Sequence, residues 1–395
     1  MTDRGLARLG LGLLLAAQFV LLRVSFAVHT FIGRKAPAAG SVVGMEEIAG
    51  MLTAVAAALP DSVTVNLARH PFYSRHYDIE FNIGGRRSAL RRVRRLIAAP
   101  WVLGRLASRH QTFIYIGGQG FLVSLLDGRD REFEFLRTRG RTVVCYFAGS
   151  EIRSHDLLNE FAAERGIDVI TTYQAEASPG IAGPYAERQR RLLAAAADGH
   201  AQLVFNAPVD QMSYLQRSTL PCLYFYPDEL IERRPAKWQD VSRPLVVHAP
   251  SSPLIKGTPL VRAAVRSLKE EGYDFEYVEL VRRPHEEVVA VLERAHVVLN
   301  EFYAFVPGVF GIEAMAANAV LVTSADPEIE PSLPQGAAEA WVVTPYWRVT
   351  QRLRCLLDNP AGLQAQADRG TDWVLRHCSR SANTATFLAA LEQLG

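Results

Sequence analysis

The chain has 395 residues, 49% of them hydrophobic and 21% charged, with a formal net charge of +2. That length exceeds one ordinary core and points to two domains, and the composition excludes a disordered chain. The balanced charge gives no global case for nucleic acid, and four scattered cysteines without a CxxC pair argue against a zinc knuckle or a disulfide framework and suit a reducing cytosol.

The first element is apolar: LGLGLLLAAQFVLL (9–22), then Arg23, then a second apolar run before Arg34 and Lys35. Taken as one span, 9–33 is long enough to cross a bilayer, with Arg23 near its middle. No small-x-small cleavage site follows, which argues against a signal peptide. We expect residues 1–35 to form a buried or interfacial helix running into a first strand at 24–32, with a membrane anchor as the alternative. GMEEIAGMLTAVAAAL (44–59) reads as a helix, and SVTVNLA (62–68) and YDIEFNI (77–83) as strands. RRSALRRVRRLIAA (86–99) reads as a basic helix stopped by Pro100. TFIYIGG (112–118), TVVCYFAG (142–149), IDVITTY (167–173), HAQLVFNA (200–207) and LPCLYFYP (220–227) read as further strands.

ELIERRPAKWQDVSRP (229–244) is polar with two prolines and reads as a linker. A second alternating set follows: strand PLVVHAP (244–250), helix 258–271, strand FEYVEL (275–280), helix 285–295 and strand HVVLN (296–300). Then come the short helix FGIEAMA (310–316), strands AVLVTS (319–324) and AWVVTP (340–345), and helices to the end. Strands alternating with helices imply an α/β protein of two doubly wound parallel-sheet domains around one cleft. Ligands in such sheets bind at the carboxyl ends of strands.

Two stretches of the second half point at that cleft. In VVHAPSSPLIKGTPLV, Lys256 and Gly257 open a helix after a strand ending near His248. A lysine beside free helix N–H groups is a usable anion site, although the P-loop spacing is missing; the alternative is a solvated lysine. In NEFYAFVPGVFGIEAMAANAV, Gly308 allows close backbone approach and Glu313 is placed in a helix's first turn. Glu313 either compensates the helix dipole or accepts from two vicinal hydroxyls of a ribose.

Together HAPSSPLIKGTPLVRAAVRSL and VPGVFGIEAMAANAVLVT resemble the donor half of GT-B glycosyltransferases, in the large retaining family that uses nucleotide sugars. The resemblance covers about 244–325 and implies two Rossmann-like domains facing a central cleft. By position it implies donor contacts from Ser251, Lys256, Gly257, Gly308, Val309, Phe310 and Glu313, with the lysine on the diphosphate and the glutamate on the ribose. It also implies an acceptor domain at 36–235, a donor domain at 236–365 and helices at 366–395 crossing back. Two positions depart from the pattern. Phe305 stands where the family often has a first glutamate facing the donor sugar, the nearest upstream acid being Glu301. Ser251 stands where it often has a diphosphate-binding arginine.

In the first half, CYFAGSEIRSHD is similar to a Gly-Ser-Asp-x-Arg turn of a subgroup acting on cell-surface polysaccharides, with Glu151 for the aspartate. This makes Gly149, Ser150, Glu151 and Arg153 cleft candidates; the alternative is a plain strand-to-helix turn capped by Ser150. Gly117 and Gly118 in IGGQGFL end a neighbouring strand. Val123 breaks any GxGxxG, so a nicotinamide fingerprint is unsupported. HPFYSRHYD (70–78) fits no standard zinc spacing, and His70 is kept as an acceptor-side candidate. No catalytic nucleophile is assigned, and no metal or cofactor is expected.

The reading is thus a cytoplasmic glycosyltransferase, peripheral to or anchored in the membrane, using a UDP- or GDP-linked sugar and a polysaccharide or lipid-linked acceptor. The arginines from Arg86 to Arg95 and the apolar N-terminal segment make an anionic membrane surface a candidate partner, although Leu90, Val93 and Ile97 are expected to face the core. The alternatives are a catalytically silent nucleotide- or glycan-binding or assembly protein of this fold, and a nucleotide-sugar epimerase.

Overall fold

A computed structural model describes residues 3–33, 38–68, 75–81 and 88–394. Six parallel strands form the first sheet: β1 (Ser41–Met45), β2 (Ser62–Asn66), β3 (Ile79–Glu80), β4 (Thr112–Ile116), β5 (Thr142–Tyr146) and β6 (Leu203–Phe205), ordered β3-β2-β1-β4-β5-β6. Seven helices accompany them: α1 (Asp3–Ile32), α2 (Met51–Ala57), α3 (Ser88–Ala107), α4 (Asp130–Arg137), α5 (His155–Arg165), α6 (Ile170–Ala177) and α7 (Pro184–His200). Helices on both faces bury the central strands, and β1 is buried at all five positions, which is why such strands read as unbroken apolar runs.

The second sheet holds β7 (Leu245–His248), β8 (Glu276–Glu279), β9 (Val297–Leu299), β10 (Val320–Thr323) and β11 (Val342–Val343), ordered β11-β10-β9-β7-β8 and again parallel. Its helices are α8 (Thr258–Glu270), α9 (His285–Leu292), α10 (Gly308–Ala316), α11 (Ala337–Ala340), α12 (Val349–Asp358), α13 (Leu363–His377) and α14 (Arg380–Glu392). Strand order reverses between β1 and β4 in one sheet and between β7 and β9 in the other. A parallel sheet leaves its ligand crevice at such a point.

Several elements differ from the sequence reading. Residues 24–32 continue α1 rather than forming a strand, because Leu15, Gln18, Leu22 and Ser25 keep a helical inward spacing. The first strand is β1, part of which lay inside the expected 44–59 helix; the helix there shrinks to α2. Pro100 does not stop α3. A proline removes the N–H that would bond the carbonyl four residues back. Here that carbonyl, on Leu96, accepts from Gln18 Nε2 of α1 at 2.8 Å. IDVITTY is not a strand: α6 starts at Ile170, with Val169 N–H donating to Thr172 Oγ1 at 3.1 Å. LPCLYFYP forms no strand: Leu220 makes one isolated bridge to Phe205 of β6, and Tyr226 bridges to Ser379 between α13 and α14. Leu90, Val93 and Ile97 are exposed, not core.

The domains are joined at the chain's end and across the cleft. Of the stretch from 366, α13 stays on the second domain, where Trp373 packs edge-on against Trp341 at 5.0 Å. Helix α14 makes the crossing: Phe387 stacks on Phe205 at 5.3 Å and Asn383 Nδ2 donates to Tyr224 O at 2.6 Å. Across the cleft, the fully buried Glu330 accepts from Val209 N–H at 2.9 Å and Asp210 N–H at 2.7 Å. Asp210 in turn accepts from Phe305 N–H at 2.7 Å and pairs with Arg153 at 2.6 Å.

Candidate functional site

In each domain a carboxylate bridges the point where strand order reverses. After β1, Glu46 accepts from Gly118 N–H at 2.9 Å and Gln119 N–H at 3.1 Å in the loop after β4. Burial and the nearby Glu151 carboxylate hold the Glu46 carboxyl above its ordinary range. Gly117 has φ +81, and a Cβ there would lie 2.5 Å from Glu46 Oε2. The expected acceptor loop at Gly117 and Gly118 is therefore occupied by the protein's own Glu46.

In the second domain the loop after β7 ends at Lys256 and Gly257, whose φ of +75 caps α8. His248 lies beneath it. Its Nδ1 donates to Leu299 O at 2.7 Å, its Nε2 accepts from Thr258 Oγ1 at 2.9 Å, and burial pushes its pKa down to about 4. A neutral imidazole with both nitrogens engaged is a brace for this loop. Lys256 Nζ reaches Glu301 Oε2, at the end of β9, at 2.5 Å. Glu301 is only 4% exposed, and burial raises its carboxyl against the opposing pull of Lys256. Oxygens of Thr323 and Ser324 hold its backbone by donating to Glu301 O at 3.0 and 3.3 Å.

Helix α10 starts at Gly308, where φ is +62 and a Cβ would meet Glu301 Oε1 at 3.2 Å. Its first-turn N–H groups, on Gly308, Val309 and Phe310, have no partners within the helix, and these residues line the cavities that Lys256 also lines. Glu313 is the sixth residue of α10, in the second turn rather than the first, so dipole compensation does not explain it. Its carboxylate, 6% exposed, is 2.6 Å from His285 Nε2 at the start of α9. That bond holds the His285 imidazolium above its ordinary range despite burial.

The second domain thus gathers Ser251, Lys256, Val309, Phe310 and Glu313 around one cavity of about 230 Å³. Gly257 sits just behind, against Phe302. Sequence reasoning missed the wall formed by Arg282, Arg283 and His285. These guanidiniums bring positive charge to a cavity where Ser251 replaces the expected arginine. An adjoining cavity of about 410 Å³ shares Ser251, Lys256 and Val309, and adds Gly308, Glu301 and, from the first domain, Gly149, Ser150 and Arg153.

The first-domain candidates divide. Ser150 is exposed at the cleft, but the cap of α5 is Ser154, which accepts from Leu157 N–H at 3.2 Å. Glu151 folds back to accept from Ala148 N–H at 2.5 Å. Arg153 is buried, with its guanidinium committed to Asp210. His70 lies outside the described residues, as do Arg86 and Arg87. Asp78 accepts from Thr64 N–H and Oγ1 at 2.8 and 2.7 Å. Phe305 faces away from the cavity, edge-on to Phe161 of α5 at 6.0 Å, in a cluster that closes the two domains together.

No family model matches the sequence and no curated protein matches it closely enough to count as a relative. Solved structures do share the architecture. Sucrose-phosphate synthase from Thermosynechococcus elongatus superposes with a TM-score of 0.57 at 14% identity, covering 91% of this chain and 99% of that one. Anabaena Alr3699/HepE in complex with UDP gives 0.53 at 11% identity, over 89% of this chain and 98% of that one. The same protein in complex with UDP-glucose gives 0.51 at 12% identity, over 89% and 100%. Two parallel-sheet domains with facing crevices, matched over nearly the whole of these chains, make the fold of this protein GT-B.

Proposed function

We propose that the protein is a glycosyltransferase that moves a sugar from a UDP-linked donor to a polysaccharide or lipid-linked acceptor on the cytoplasmic side of a membrane. The observation that carries this is the convergence of Lys256, Glu313 and the N-terminal turn of α10 on one cavity. Glu313 accepts from the ribose hydroxyls, with His285 fixing its carboxylate. The bond between the anomeric carbon and the diphosphate oxygen breaks, and the acceptor hydroxyl forms the new one. Its proton passes to the leaving diphosphate, whose charge Lys256, the arginine wall and the α10 N–H groups stabilise. Retention of configuration follows the family resemblance, and the scheme gives no step to a metal. The choice of uridine rests on the similarity to Alr3699/HepE, solved with UDP and UDP-glucose.

Calorimetric titration with UDP, GDP and ADP tests the reading. UDP should bind selectively, and Glu313→Gln should weaken it roughly 10- to 100-fold, about the worth of one hydrogen bond to a charged group. Absence of binding at millimolar nucleotide would sink the proposal. Phe305 favours one second reading, a silent nucleotide-binding protein, because its side chain leaves no carboxylate at that position facing a donor sugar. UDP binding without UDP release from any UDP-sugar, across an acceptor panel, would favour it.

A further inference from the structure

We infer that α1 and α3 form a docking face for an anionic phospholipid bilayer, on which the protein lies without crossing it. Among the described residues, seventeen large hydrophobic side chains are exposed; seven are on α1 and four on α3. Two helices thus carry eleven of these seventeen side chains, a concentration that marks an interaction site.

The pattern on α1 is inverted. Its inward stripe includes the polar Gln18 and Ser25, buried to 1% and 0%, while Leu13, Val20, Val24 and Val28 face outward. A helix whose outer partner is water shows the reverse. On α3, Leu90, Val93, Ile97 and Trp101 recur at helical spacing and are all exposed. The two stripes adjoin where Trp101 meets His29, ring centroids 5.8 Å apart.

By length and composition Leu9–Ile32 could span a bilayer. Its attachments oppose that. Gln18 completes the backbone of α3 at Leu96 and also accepts from Val123 N–H at 2.9 Å; Ser25 Oγ donates to Trp101 O at 2.6 Å. Gly104 lets the helices touch, since a Cβ there would lie 2.7 Å from Leu22 O. Pulling α1 into hydrocarbon would strand these groups without partners.

Charge selects the lipid. Between Glu80 and Asp127 the sequence has no acidic residue and eight arginines. Arg91, Arg92 and Arg94 are exposed on the first turns of α3. Arg91, Arg94 and Arg95 line a hollow of about 340 Å³ together with Glu80; the three guanidiniums outnumber its one carboxylate and leave it a positive hollow of a size to receive a phosphate headgroup. Arg95 Nη2 donates to Gly120 O at 2.8 Å, so this end of α3 adjoins the loop after β4 at the cleft edge of the first domain. A bilayer on this face would present acceptors beside the cleft.

Flotation of the full chain with phosphatidylcholine vesicles, and with equimolar phosphatidylglycerol and phosphatidylcholine, tests the inference. The protein should float with the anionic vesicles and be released by high salt. Arg91, Arg92 and Arg94 replaced together by Gln should weaken binding about a hundredfold at low salt. Val93→Ser with Ile97→Ser and Trp101→Ser should abolish flotation while leaving the melting temperature unchanged. Three results would each overturn it: no flotation, variants that float like the parent, or an N-terminal segment shielded from external protease and resistant to alkaline extraction. Vesicle-free dimerisation lost in the Ser variant would overturn it too, assigning the face to a second copy. None of these readouts depends on nucleotide binding.

Discussion

Lys256→Met should destabilise the protein through the residue it leaves behind. Glu301 is buried, 2.5 Å from Lys256, with Asp210 adding a like charge nearby. Removing one partner of a buried ion pair typically costs about 3–5 kcal/mol. Glu301 has an escape, since it can take up a proton. Forcing a carboxyl neutral at pH 7 from its ordinary value near 4.3 costs about 3.7 kcal/mol at 1.36 kcal/mol per unit, which caps the loss. The sign follows from linkage. A carboxyl whose folded value is raised binds more protons in the folded state, so the gap to wild type opens as pH rises above about 4.3 and closes below it. Glu301→Gln should cost far less, because Lys256 is partly exposed and can turn to water, and the double variant should recover most of the loss. Urea denaturation of the four proteins at pH 7 and pH 4.5 measures the cycle. A Lys256→Met loss under about 1 kcal/mol, or one independent of pH, would refute the claim that Glu301 depends on this lysine. Under the proposed function, Glu301→Gln should also tighten UDP binding, since the diphosphate would no longer compete with a carboxylate for Lys256.

Asp210→Ala should cost about 3–5 kcal/mol by stranding the Arg153 guanidinium, and Asp210→Asn distinctly less; denaturant midpoints separate them. Gly104→Val should cost about 1–3 kcal/mol, because the new side chain meets Leu22 O and Ser25, and limited proteolysis should then release α1. The His285–Glu313 ion pair should stabilise most below the ordinary imidazole value. Its contribution should fade as pH rises through the raised folded-state value, so melting curves of wild type and His285→Gln should converge with rising pH above the ordinary imidazole range.

The two-sheet architecture was legible because β4, β5, β7, β9 and β10 are buried on both faces, and such strands leave continuous apolar runs. The wall of the second-domain cavity was legible because Lys256, Gly257, Gly308 and Glu313 sit in short segments with a recognisable order. What stayed hidden has no local signal. His285 lies 28 positions from Glu313 and Glu301 lies 45 from Lys256. Which acid meets which base is decided by strand order, not by spacing. Arg282 and Arg283 belong to no motif. Helix α1 is apolar on both sides, so periodicity could not show which side packs. Gln18 has no local reason to sit in that helix; its partner, Leu96 O, left open by Pro100, lies 78 positions along the chain. Phe305 stands where the resemblance leads one to expect a carboxylate, yet it belongs to the contact between domains.

Because Phe387 stacks on Phe205 and meets Phe225 edge-on, the first domain's core takes a side chain encoded about 180 residues after its last strand. At ribosomal speeds of about 5–20 residues per second, the nascent first domain waits roughly 10–40 s for that piece. Its apolar face toward α14 stays open throughout, which makes that interval the natural window for a chaperone. A stop codon in α14 before Phe387 would damage the half of the protein made first.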